Sequence, residues 1–115
     1  MRFLLLLYGD EAGEAALSDE ERRGIVEEHR AFGTRLGERG ALVVAEALTG
    51  RDRARTVRLA PRRPPLVTDG PFAETKEQLG GFYVVECAGE EEALELAREV
   101  PRSPGLVVEV RPIAG

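Results

Sequence analysis

The chain has 115 residues, 43% of them hydrophobic and 32% charged, with 21 acidic against 16 basic side chains and a formal net charge of −5. That length suits one domain over residues 1–115 with apolar surface enough to offset the entropy of ordering it. The acidic balance argues against direct nucleic-acid binding, which needs a clustered basic surface, and the lone Cys87 excludes an internal disulfide or a cysteine metal cluster and fits a reducing, cytoplasmic setting.

Phe3 to Tyr8 is apolar at consecutive positions, which predicts a strand buried on both faces. The run is far shorter than the ~20 residues a membrane span needs, so no membrane association is expected. It also lacks a small-residue cleavage site and reads as a retained strand. Gly9-Asp10-Glu11 breaks it. Ser18, with Glu21 three residues on, is a capping-box start for a helix that ends at Gly40. Ile25, Phe32 and Leu36 set the helix's apolar stripe, and His29 fills the missing step, so His29 is predicted to face inward. Gly33 and Gly37, four apart, are expected to permit close approach of helix to sheet.

Ala41 to Leu48 is β-rich and is followed, after a polar turn at 49–53, by the alternating run Thr56-Val57-Arg58-Leu59, so these two runs are expected to form a hairpin. Prolines at 61, 64 and 65 exclude a central strand there and leave Leu66-Val67-Thr68 as a short return strand ending at Asp69-Gly70-Pro71. Gly81 to Cys87 is the next strand. Gly89 and Glu90-Glu91-Glu92 open a second helix, whose inward residues are Ala93, Leu96, Ala97 and Val100 before Pro101 stops it. Leu106 to Val110 alternates as a final strand. The order β-α-β-β-α-β, with one small extra strand, is the ferredoxin-like α+β arrangement, in which both helices cover one face of an antiparallel sheet. The other face would be bare and apolar here, which predicts a homodimer built sheet to sheet.

Asp69-Gly70-Pro71-Phe72-Ala73-Glu74-Thr75-Lys76-Glu77-Gln78-Leu79-Gly80-Gly81-Phe82 resembles the signature of YCII-related proteins of the DGPF type. The resemblance runs from the opening strand with Tyr8-Gly9-Asp10 to Val108-Glu109-Val110-Arg111-Pro112. It implies a dimeric α/β barrel of ferredoxin-like subunits, and genomic or physical linkage to sigma factors of the extracytoplasmic type. Some wider relatives carry a His and an Asp proposed to act together, and His29 with Asp69 is the pair this chain could supply. Read from the residues alone, Gly70 and Pro71 make a stiff corner with the Asp69 carboxylate at its tip, so Asp69 is equally an Asx-turn acceptor for following amides. Lys76 with Glu74 or Glu77 reads more readily as a surface ion pair than as an acid–base pair, and His29 more readily as a half-buried helix histidine bonded to backbone than as a catalytic group.

No dinucleotide fingerprint, phosphate loop, zinc spacing or nucleophile elbow occurs, so no cofactor or metal is expected. Two functions compete, and whether the chain is an enzyme stays open at this level. The first is a small-molecule site formed by Tyr8, His29, Asp69, Phe72 and Tyr83, with Glu74 and Lys76 at its mouth, where Asp69 or His29 moves a proton; the family resemblance implies a lyase, an isomerase or a hydrolytic dehalogenation on a small organic acid or lactone. The second is a non-catalytic regulatory module that meets a protein partner, such as sigma-factor machinery, through the signature loop. A closed apolar pocket holding Asp69 would favour the first, and an exposed Glu74 to Gln78 the second.

Overall fold

The computed structural model describes residues 1–115. Strand β1 spans Arg2–Asp10, β5 Glu77–Glu86, β2 Leu42–Ala47 and β6 Val107–Pro112, and they form one sheet in the order β2-β5-β1-β6. Every neighbouring pair is antiparallel. Helices α2 (Asp19–Glu38) and α3 (Glu90–Arg98) cross over between strands, giving a ferredoxin-like α+β layout.

Alternation along the strands decides which side chains are buried. Phe3, Leu5 and Leu7 of β1 lie opposite Val85, Tyr83 and Gly81 of β5 and pack under Phe32 and Leu36 of α2 and Ala93 and Leu96 of α3. Of these, Phe3, Leu5, Phe32, Leu36, Leu96 and Val85 are fully buried. The intervening residues Leu4, Leu6 and Tyr8 face the other way, opposite Val84, Phe82 and Leu79, and all six retain exposure. On the two central strands the face away from the helices is thus apolar, as the sequence predicts, while the edge strands place Glu109 and Arg111 beside Leu6 and Leu4 and Glu46 beside Phe82 on that same face.

Helix α2 begins where expected, with Ser18 accepting from the Glu21 amide and Glu21 from the Ser18 amide. Three expectations change. A short helix α1 (Glu11–Ala15) follows β1 directly, capped by Asp10, whose carboxylate accepts from Ala12 N–H at 3.1 Å. A Cβ placed on Gly33 or Gly37 would meet nothing within 4 Å, so these glycines bring no close approach. The predicted hairpin is also replaced. β2 pairs with β5, whereas β3 (Arg55–Arg58) pairs with β4 (Leu66–Asp69) in a separate two-stranded arm. The chain takes a single 3₁₀ turn at Arg51–Arg53 after β2, while the Pro61–Arg63 corner, with Arg62 at φ 64°, turns β3 back onto β4. The long apolar β5 takes the central place beside β1, leaving β2 on its outer edge.

Candidate functional site

Helix α2 has 20 residues, yet its only fully buried side chains, Phe32 and Leu36, lie in its C-terminal half. The N-terminal half stands above a stretch of sheet furnished with small residues: Ala45 and Ala47 of β2, Gly81 of β5 and Gly9 of β1. Gly81 is required there, because a Cβ would come within 2.9 Å of the Glu46 carbonyl oxygen on the adjacent strand. Small side chains beneath a raised helix leave an open cleft of about 1020 Å³. Ile25, Val26 and His29 of α2 form its roof, and Glu14 and Leu17 border it beside α1.

His29 and Tyr83 meet on the wall of this cleft. His29 Nδ1 lies 2.6 Å from Tyr83 Oη. The two rings stack at 5.9 Å between centroids and 16° between planes, and Phe32 packs edge-on against Tyr83 at 5.2 Å. His29 is partly buried, as the helical stripe predicts, and burial lowers its pKa from the ordinary 6.5, with Glu28 pulling weakly the other way. Burial likewise raises the Tyr83 hydroxyl above its usual value. Both groups are therefore favoured in their neutral forms. Nε2 makes no hydrogen bond within the chain and is not sealed from solvent, so the imidazole presents that nitrogen as an open polar atom.

Tyr8 also borders the cleft, from a strand position that alternates onto the bare face. The remaining residues singled out from the sequence stand elsewhere. Asp69, at the end of β4, does not line the cleft and makes no bond to His29. Its carboxylate is 89% exposed and sits 3.1 Å from Arg55 Nε. It caps no following amide, because the arm's own bonding closes that corner: Gly70 N–H donates to Ala54 at 2.8 Å, and Thr56 Oγ1 donates to the Gly70 carbonyl at 2.7 Å. Phe72 is 79% exposed. Glu74 and Lys76 are exposed, and Lys76 lies 3.8 Å from Asp10 rather than beside Glu74 or Glu77.

Two residues of the site carried no individual signal in the sequence. Gln78 is buried and holds the signature loop from below: its amide nitrogen donates to the Ala73 carbonyl at 3.1 Å and the Thr75 carbonyl at 2.8 Å. Its position opposite Gly9, on the helix side of β5, was the available clue. Glu14 lines the cleft from α1, and a break predicted at Gly9-Asp10-Glu11 hid the helix that places it.

These features define a ferredoxin-like subunit with one apolar sheet face open and a polar pair set in a cleft under the first long helix. The chain belongs to the YCII-related domain family, whose sequence model matches residues 1–114. It is similar to an uncharacterized protein of Rhizobium meliloti (strain 1021), 38% identical over 116 residues that cover 99% of this chain and 93% of that relative.

Proposed function

We propose that the cleft binds a small organic molecule and that His29, held in place by Tyr83, transfers a proton there, acting without a cofactor in an isomerase- or lyase-type reaction. The observation that carries this reading is the 2.6 Å contact of His29 Nδ1 with Tyr83 Oη, made where Nε2 remains accessible at the wall of a ligand-sized space. With Nδ1–H donating to Tyr83, Nε2 carries the lone pair and accepts a proton from a ligand C–H or O–H. The imidazolium so formed keeps its Nδ1–H bond to the phenol oxygen and returns the proton to another ligand atom. Acid and base are one residue, and the proton count closes. Asp69 in this reading is an arm residue tied to Arg55, separate from the proton-transfer step.

The bare sheet face supports a homodimer, because Leu4, Leu6, Phe82 and Val84 form a contiguous apolar surface on the two central strands of a kind that favours burial. A second function is favoured by a different observation. Phe72 and the run Glu74 to Glu77 are exposed, which suits a loop that docks a protein.

A small-molecule library screened by nuclear magnetic resonance against the wild type, His29→Gln and Tyr83→Phe tests the first reading. Hits that perturb the His29 and Tyr83 rings and weaken in both variants are expected. Hits confined to the arm or the bare sheet, with the cleft resonances unmoved, would overturn it.

A further inference from the structure

Three carboxylates cluster where β1 passes into α1, and two of them have cations. Asp10 lies 3.8 Å from Lys76 Nζ, and Glu11 lies 3.2 Å from Arg51 Nε while also accepting the Arg51 backbone N–H at 2.8 Å. The Glu14 carboxylate has neither an ion-pair partner nor a hydrogen bond, and it is the one of the three that lies over the cleft floor: its Oε1 sits 2.6 Å from where a Cβ on Gly9 would be. Gly9 is buried on the helix face of β1, so the absence of a side chain there makes room for this carboxylate.

The rest of the cleft's charge points the same way. Its walls carry Glu11, Glu14 and Asp52 against Arg22 and Arg30, while Glu46, opposite Phe82, turns its side chain to the other face of the sheet. Arg30 is paired with Glu27 at 2.6 Å, and Arg22, which has no carboxylate partner, donates to the carbonyls of Ala15 and Leu17 at 3.1 Å each. An anionic ligand would meet Glu14 and Asp52, neither of them ion-paired, and a single unpaired cation, Arg22, already held by backbone carbonyls, whereas an ammonium would supply the partner Glu14 lacks. The carboxylates do not converge as a metal cage. Partial burial, then Glu11, then Asp10 raise the Glu14 pKa from 4.5, and a bound cation would relieve that strain on its charged form.

We propose that Glu14 is the specificity-determining residue of the cleft and that the ligand it selects carries an ammonium group at the end remote from His29. Tyr83 lies opposite Leu5, four residues before Gly9 on β1, a separation of about 13 Å along a strand, so the ligand is elongated. This inference rests on the cleft's being the ligand site and is independent of whether His29 moves a proton there.

The test compares hexylamine with hexanoate, equal in chain length and opposite in charge, by nuclear magnetic resonance titration of the full chain at neutral pH, following the Gly9 amide and the His29 ring. The amine is expected to bind at least tenfold more tightly than the acid. Glu14→Gln should abolish that preference without lowering the melting temperature, since it removes a carboxylate that has no partner. Gly9→Ala, which displaces the Glu14 carboxylate while keeping its charge, should weaken amine binding, and His29→Gln should leave the preference intact. Equal or tighter binding of hexanoate, no binding of hexylamine at these resonances, or a preference that survives Glu14→Gln would overturn the proposal. Loss of proton transfer alone would sink the role given to His29 and leave this one standing.

Discussion

Tyr83→Phe removes one oxygen from the cleft wall and leaves the aromatic packing in place. The ring is 6% exposed, and its edge contact with Phe32 and its stacking on His29 involve carbon atoms that phenylalanine retains. The cost is therefore one neutral hydrogen bond, about 1 kcal/mol. It is held well under the ~3 kcal/mol upper range for a sealed orphan because His29 is only partly buried and water can reach its ring. For a domain of roughly 100 residues this lowers the melting temperature by about 4 °C. The sharper readout is the titration of the His29 ring protons. Burial already holds the His29 pKa below 6.5. If Nδ1–H donates to Tyr83 Oη, the phenol oxygen favours the imidazolium, and losing it drives the pKa further down. A pKa that rises toward 6.5 in Tyr83→Phe would instead make the hydroxyl the donor to Nδ1, and the base role assigned to Nε2 would fail.

His29 also couples stability to pH. Its folded pKa is below the unfolded value of 6.5, so the unfolded chain binds the proton first, and stability present above that value is lost as pH falls from it toward the lowered folded pKa. His29→Gln should flatten this slope in denaturant midpoints measured across that window, and an unchanged slope would assign it to other groups. Gln78→Leu should cost roughly 1–3 kcal/mol by freeing the carbonyls its amide serves and should speed amide exchange from Ala73 to Lys76; Asp69→Ala should leave that exchange nearly unchanged, and the reverse pattern would restore Asp69 as the loop's organiser. Gly24→Ala and Gly33→Ala, where a Cβ meets nothing within 4 Å, should each stabilise helix α2 by ~0.5–1 kcal/mol, seen as higher melting temperatures. Leu6→Asp, on the bare face, should convert a light-scattering mass near twice 12.6 kDa to that of one chain; a wild type that scatters as one chain would refute the dimer.

What the sequence made legible follows from local and periodic signals. The Ser18 and Glu21 box fixed the start of α2, the 3.6-residue stripe turned His29 inward, and unbroken apolar runs in β1 and β5 placed apolar side chains on both sheet faces. Strand pairing was less accessible, because alternation in Thr56 to Leu59 announces a strand and says nothing about which neighbour it takes. The contiguous hairpin lost to a pairing of β2 with a strand some thirty residues further on. Asp69 illustrates a related limit: a carboxylate beside Gly-Pro is a good turn acceptor in isolation, but the Ala54 carbonyl, brought in by the arm's register, took the Gly70 amide it would have accepted. Tyr83 was visible as a candidate, yet its bond to His29 joins residues 54 apart in sequence. Glu14 depended on a five-residue helix too short to show a period.

The central claim is that His29 faces the cleft as a neutral base with its proton on Nδ1. A long-range proton–nitrogen correlation spectrum of the imidazole, recorded on the full chain from neutral pH downward, reads both the tautomer and the titration. The expected result is Nε2 unprotonated at neutral pH, with a titration midpoint below 6.5. Protonated Nε2 in the neutral ring, or a midpoint at or above 6.5, would contradict it.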